Sequence, residues 1–319
     1  MSNQLSRARK FAQAASPILQ GIVSGYANKP SLFVADSLFP VVDVEDIAFK
    51  IPVVGSDSMR IFPTERAAGA KSNIIVPKAT DFVDVLLEEH DLSYPSDYAD
   101  ELGSRRWRSA RQIGVQINWN AMMLKREYIA ARLAQDVATY KPGYTLALSG
   151  ASKWSDENSD PVGDIQEAIA TIDADSANRL ILGARTFLAL QRHKKIRELV
   201  SYSQTGQANT GPVVTEEHLS RIFDIAVVRK ARSRYVDAAG VKNYLWDDDI
   251  AIVAYVNPNS RSQANVFESS YGYTFMLQDY PVADTWDSED KKVSYDRITA
   301  WMKHAVTDNG CGYLITGCV

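Results

Sequence analysis

WSDENSDPVGDIQEAIATIDADSANRLILGARTFLAL, Trp154–Leu190, is the stretch that decides the fold. It opens on a polar, ordered run and passes into a short helix. Asp160 is placed to cap that helix and Pro161 to occupy its first position, where a missing N–H costs nothing. Val162, Ile165, Ile169 and Ile172 mark its apolar face. Leu180, Ile181 and Leu182 form a short buried strand ended by Gly183. A second helix is predicted from Ala184 to about Leu199, packing through Phe187, Leu190 and Ile196, with Arg192, Lys194, Lys195 and Arg197 solvating its outside. The order helix, strand, helix is an architectural statement with no catalytic residues in it.

Upstream lies a long helix. Val115, Trp119, Met122, Met123, Ile129, Ala130, Leu133 and Val137 keep to helical spacing and form one stripe. Lys125, Glu127, Arg132 and Asp136 are read onto the remaining faces, and Lys141-Pro142-Gly143 is read as the stop. From Val115 to Tyr140 such a helix is about 39 Å long at 1.5 Å per residue, a structural spine. Before it, Ile47, Phe49 and Ile51 alternate with other residues, and Thr80–Leu87 is a second extended run. Between them the tip 66–73 is polar and contains Gly69. An isolated hairpin is marginal in water, so this one is expected to lie on a neighbour.

The first 46 residues read as an arm, broken by Pro17, Gly21, Gly25 and Pro30. Its first 35 residues carry Arg7, Arg9, Lys10 and Lys29 and no acid, which suits contact with a polyanion such as DNA. After the second helix come a short helix near Thr215–Phe223, strands at 225–229 and 250–256, a β pattern through 267–277, and extended runs at 293–306 and 313–315. The class is mixed α+β.

The chain has 319 residues, 45% of them apolar and 23% charged, with a net charge of −4. These values place it with globular proteins and leave room for one elaborated domain or two ordinary ones. No apolar run approaches the roughly 20 residues that cross a bilayer, and no signal-peptide pattern follows the early arginines. The expectation is a cytosolic product without membrane contact. Cys311 and Cys318 read as reduced thiols at a strand edge, and His304 is too little to complete a metal site with them.

Catalytic motifs fail on spacing. In Gly69-Ala70-Lys71-Ser72 the residue before the lysine is alanine, so the P-loop pattern is broken. Gly310-Cys311-Gly312 has no third glycine in register and reads as a turn. Asp247-Asp248-Asp249 lacks the alternating ligands of a calcium loop and reads as a solvated edge. His90, His193, His218 and His304 are scattered. No catalytic, cofactor or metal residue is named, and no enzyme activity is expected. Scattered Asp and Glu leave a cytosolic hydrolase as the least favoured alternative.

An arm, a long hairpin, a long helix and then Trp154-Ser155-Asp156-Glu157-Asn158-Ser159-Asp160-Pro161 together resemble tailed-bacteriophage major capsid proteins of the HK97-like fold. Asn178–Gly183, Thr186-Phe187 and Leu190–His193 are similar to that family's step from strand to helix in its axial domain. Gly312-Tyr313-Leu314-Ile315 resembles its last strand, which returns to the peripheral domain.

The resemblance implies an N-terminal arm (1–46), an extended loop (47–92), a peripheral domain with the spine helix (93–178), an axial domain (179–289) and a return to the peripheral domain (290–319). It implies a structural subunit that self-assembles through hexamers and pentamers into an icosahedral shell around phage double-stranded DNA. Separate scaffolding, portal and decoration proteins are the implied partners. The expected location is the virion, after assembly in the bacterial host cytoplasm. An encapsulin-like nanocompartment shell is the alternative on the same fold. In some relatives a lysine of the loop joins an asparagine. Lys71 or Lys78 with Asn309 would be the candidates here, but no catalytic acid can be placed beside them.

Overall fold

The computed structural model describes residues 33–52, 61, 63–69, 71–74, 82–97, 110–174, 176–203, 213–258, 268–288, 290 and 292–319. The basic arm residues Arg7, Arg9, Lys10 and Lys29, and Lys78, lie outside that set.

Two five-stranded sheets organise the chain. The first contains β1 (Val41–Val44), β4 (Glu88–Asp97), β11 (Gly272–Leu277), β12 (Val282–Ser288) and β13 (Val293–Val306). β13 is its backbone: it pairs antiparallel with β4, β11 and β12. β1 joins parallel to β11, Val41 opposite Thr274. The second sheet runs β5 (Thr145–Ala147), β14 (Gly312–Thr316), β10 (Ile250–Ala254), β6 (Arg179–Gly183), β7 (Val227–Ala231). Two further ribbons are β2 (Ala48–Pro52) with β3 (Phe82–Leu86), and β8 (Arg234–Val236) with β9 (Lys242–Tyr244).

Helix α1 (Ala35–Leu38) is one turn, and α2 (Ala110–Gln135) is the predicted spine. The spine starts earlier and ends earlier than its stripe suggests. Asp136 leaves the helix and its carboxylate accepts from the Ala138 N–H at 2.9 Å, starting a 3-10 turn over Val137–Thr139. The stop is therefore this cap, ahead of Pro142. The spine links two cores. Val115, Trp119 and Met122 pack on Ala283, Ile298 and Ala300 of the first sheet. Ala130, Ala131 and Ala134 pack with Ile181, Ile252 and Leu314 of the second. Those two contact groups together span about 29 Å of the axis at 1.5 Å per residue, and the small alanines allow close approach at the second.

The other face of the second sheet carries α3 (Pro161–Thr171), α4 (Ala184–Arg192), α5 (Lys194–Ser203) and α6 (Glu216–Phe223). Ile165, Phe187, Leu190, Ile196, Leu219 and Phe223 meet Leu180, Leu182, Ala251, Val253 and Ile315 there. The single helix expected over 184–199 is two helices. His193 breaks it, with extended backbone (ψ 130°) and a buried ring whose Nε2 meets the Ser159 hydroxyl at 3.3 Å and the Asp156 carbonyl at 3.2 Å. Asp160 precedes α3 as expected, but its side chain makes no capping bond and pairs with Lys195 at 3.2 Å.

Strand pairing also departs from the expected segment boundaries. β11 and β12 fall within the segment 179–289, yet they belong to the sheet of β13 and β4. β14 pairs between β5, within the segment 93–178, and β10, within the segment 179–289. The alternation that marks a strand is local, whereas its neighbour is chosen by which apolar face remains uncovered.

Candidate assembly surfaces

The β2–β3 ribbon has two unlike sides. Phe49 opposite Val85 and Ile51 opposite Val83 form its inner side. Ile51 and Val85 are buried with Val42, Val44, Tyr273 and Phe275, and Phe49 meets Phe275 edge-on at 5.2 Å. The alternate positions Ala48, Leu86 and Phe82 face away. Between them Lys50 meets Asp84 at 3.0 Å, an exposed pair worth little. Phe82 is 56% exposed and Leu86 62%. Near the tip Asn73 donates from Nδ2 to the Pro63 and Glu65 carbonyls at 3.0 and 3.1 Å, and Ile61 and Ile74 stand 96% and 83% exposed. Large apolar side chains this exposed form the kind of surface that marks an interaction site.

Glu127 is the residue the sequence reading misplaced. It lies on no solvated face: it is 1% exposed and accepts from the Val34 N–H at 2.8 Å, the Ala35 N–H at 2.9 Å and the Trp246 indole N–H at 2.6 Å. Burial pushes its carboxyl above the usual range, against the opposing pull of those three donors. Next to it Arg126 donates to Asp36 on α1. The spine thereby holds the last part of the arm, and Val34, Ala35, Leu38 and Phe39 are buried in the core. A lone acid among apolar residues on the spine is the signal that was available. Its donors lie more than ninety positions away, so spacing could not reveal them.

Trp154 is 1% exposed and donates from Nε1 to Asp164 at 2.8 Å. The carbonyl of Cys318 accepts from the Trp154 N–H at 2.7 Å, tying the polar lead-in to the end of the chain. An open cleft of about 420 Å³ lies between this lead-in and α4, bordered by Glu157, Arg185, Leu188, Arg192 and Val319. His193 is also at its wall, its pKa lowered chiefly by burial, and is engaged through Nε2 in the contacts already described.

The remaining sequence candidates are structural. Gly183 packs against the 247–249 turn, where the Asp248 carbonyl accepts from the Arg185 and Thr186 N–H groups at 3.0 Å each. Asp249 accepts through its carboxylate from the Val319 N–H. This acidic run is therefore a packed turn, where a solvated edge was expected. Gly310 donates from its N–H to Asp308 Oδ1 at 2.9 Å within a turn, and Gly69 is in the left-handed region at φ 81°. Cys311 and Cys318 are free and buried, and burial raises both thiols. Lys71 is exposed beside the tip and Asn309 is exposed in the turn before β14. Among the described residues no group of three or more His, Cys, Asp or Glu is arranged to hold a metal, and no helix is long and apolar enough to cross a membrane.

Residues 139–274 match the family described as Phage major capsid protein E. The chain is 35% identical over 306 residues to the major capsid protein of Burkholderia phage BcepMu, covering 94% of this chain and 95% of that one. The chain belongs to the phage major capsid protein family. A phage-related protein from Bordetella bronchiseptica RB50 shares its fold at a TM-score of 0.75 and 22% identity, covering 96% of this chain and 98% of that one. The SrpI encapsulin of Synechococcus elongatus PCC 7942 aligns at 0.54 and 9% identity, covering 88% and 85%, a likeness of fold alone. The fold is the HK97-like α+β fold expected from the sequence, and the protein is a phage capsid component whose relatives are structural proteins.

Proposed function

We propose that this capsid protein self-assembles through hexamers and pentamers into a closed icosahedral shell around phage double-stranded DNA. The observation that carries the reading is the β2–β3 ribbon, with one side packed in its own core and an exposed side on which Phe82 and Leu86 flank the Lys50–Asp84 pair. A surface of that kind is satisfied by a neighbouring copy. Contacts that are individually weak close a shell when each subunit is held by several neighbours.

In this reading the extended loop is the ribbon and its tip. The peripheral domain is the β13-centred sheet with the first half of α2, and the axial domain is the β10-centred sheet with α3–α6. The spine spans both, so it would transmit the angle between them to the curvature of the shell. Scaffolding, portal and decoration proteins are proposed as separate partners, with assembly in the host cytoplasm. The arm residues Arg7, Arg9, Lys10 and Lys29 are proposed to face the packaged DNA, where their charge would release counterions.

Electron microscopy of purified protein tests the proposal. Closed shells, hexamers or pentamers are expected, and deletion of residues 60–75 should abolish them while leaving the subunit's unfolding transition in place. A chain that stays monomeric at high concentration, with and without a scaffold, would sink it. Shells that enclose a cargo enzyme in place of DNA would favour the nanocompartment.

A further inference from the structure

The segment 225–245, which ends in the β8–β9 hairpin, carries a concentration of positive charge that no carboxylate among the described residues pairs with at ion-pair distance. In 225–245 the charged residues are Arg229, Lys230, Arg232, Arg234 and Lys242 against Asp237 alone, in a chain of net charge −4. Asp237 is engaged by the turn itself: its carboxylate accepts from the Ala239 N–H at 3.0 Å, the Val241 N–H at 2.9 Å and Asn243 Nδ2 at 2.9 Å.

The register sorts the hairpin into two sides. Arg234 stands opposite Tyr244 and Val236 opposite Lys242, which puts these four on one side, while Tyr235 and Asn243 take the other. Arg232, Arg234 and Lys242 are exposed, and the Arg234 guanidinium lies 4.4 Å over the Tyr244 ring. Tyr235 turns inward onto Tyr128 of the spine, 5.6 Å between ring centroids. There Lys125 and Arg132, one turn to either side, sit 5.6 and 5.2 Å over the Tyr128 ring. Among the described residues none of these five cations has a carboxylate partner within ion-pair distance. Like charges gathered on a short ribbon repel one another, so the arrangement favours a bound polyanion.

We propose that the outward face of the β8–β9 hairpin, carrying Arg232, Arg234 and Lys242, is a binding surface for the phosphate backbone of duplex DNA. It is separate from the N-terminal arm, and it rests on the reading that the shell encloses DNA. Cations and tyrosine hydroxyls on such a surface contact phosphates without reading bases. Binding should therefore be indifferent to sequence and steep in salt.

The test uses the full chain with Arg7, Arg9, Lys10 and Lys29 changed to glutamine, so that the arm does not mask the hairpin. Binding to a fluorescein-labelled duplex of about 30 base pairs is followed by anisotropy between 50 and 200 mM salt. In this background, Arg232→Gln, Arg234→Gln and Lys242→Gln together should make the slope of log K against log salt shallower by about 2–3. The charge-keeping set Arg232→Lys, Arg234→Lys and Lys242→Arg should leave the slope in place. Circular dichroism on both sets checks that the hairpin change has not unfolded the chain. Equal slopes for the glutamine set and its parent would overturn the inference. So would loss of shells with DNA binding intact, which would make the hairpin a contact between copies. Failure of the unaltered chain to form any shell would instead remove the capsid reading beneath it.

Discussion

Replacing Glu127 probes how the spine holds the arm. Glu127→Ala leaves the Val34 and Ala35 amides and the Trp246 indole without an acceptor in a site that is 1% exposed in the native chain. An unsatisfied buried donor costs about 1–3 kcal/mol, and some of that is offset because the carboxylate no longer has to be desolvated. The expected loss is about 3–5 kcal/mol, roughly 6–10 °C in Tm at about 2 °C per kcal/mol for a chain of this size. Glu127→Gln keeps one acceptor oxygen and should lose about 1–3 kcal/mol.

The pH dependence has a definite sign. Burial raises the folded carboxyl pKa above 4.5, so the folded state holds this proton more tightly than the unfolded one. The stability Glu127 contributes is therefore complete below the unfolded pKa and declines as pH rises through the folded one. The gap between native chain and Glu127→Gln should narrow over that window. Urea denaturation of unassembled subunit at several pH values reads the free energies. Hydrogen exchange at Val34 and Ala35 reads the arm directly, and faster exchange there is expected. A loss under 1 kcal/mol for Glu127→Ala, with both amides still protected, would refute the role assigned to this carboxylate.

Three further outcomes are expected. Asp160→Ala should cost well under the ~1 kcal/mol of a lost helix cap, because its side chain makes no cap and pairs with half-buried Lys195 from an exposed position; thermal unfolding measures it. Gly183→Ala should destabilise by more than about 2 kcal/mol, since the new Cβ would lie 2.5 Å from the Asp248 carbonyl oxygen and 2.6 Å from that of Asp247, backbone atoms with little room to retreat; poor yield or a lowered Tm is the readout. His304, with Nδ1 2.8 Å from the Thr274 hydroxyl, is depressed to about 3 by burial. It should withdraw stability as pH falls below about 6.5, so His304→Gln should show a shallower loss between pH 6.5 and 5 in urea titrations.

Much of the fold could be read along the chain. The 3.6-residue stripe through Val115, Trp119 and Met122 announced the spine, and the alternation at Ile47, Phe49 and Ile51 announced the ribbon. The candidate surfaces were less legible. Phe82 and Leu86 look like core residues by type; only the register with β2 turns them outward. The cations of 229–242 were visible as letters, but their grouping beside Lys125 and Arg132 depends on Tyr235 meeting Tyr128.

In Trp154–Leu190 the division of labour is plain. Pro161, the apolar spacing of α3 and the run Leu180–Leu182 determined a helix and then a strand by themselves, because backbone geometry and local periodicity act over a few residues. Tertiary structure decided that Asp160 would turn to Lys195, that His193 would split the second helix against Ser159, and that β14 would complete the sheet beside β10. It also decided that Glu127 would be buried. Each of these outcomes depends on a partner distant in sequence, and the free energy of a polar or apolar group is set by what finally surrounds it.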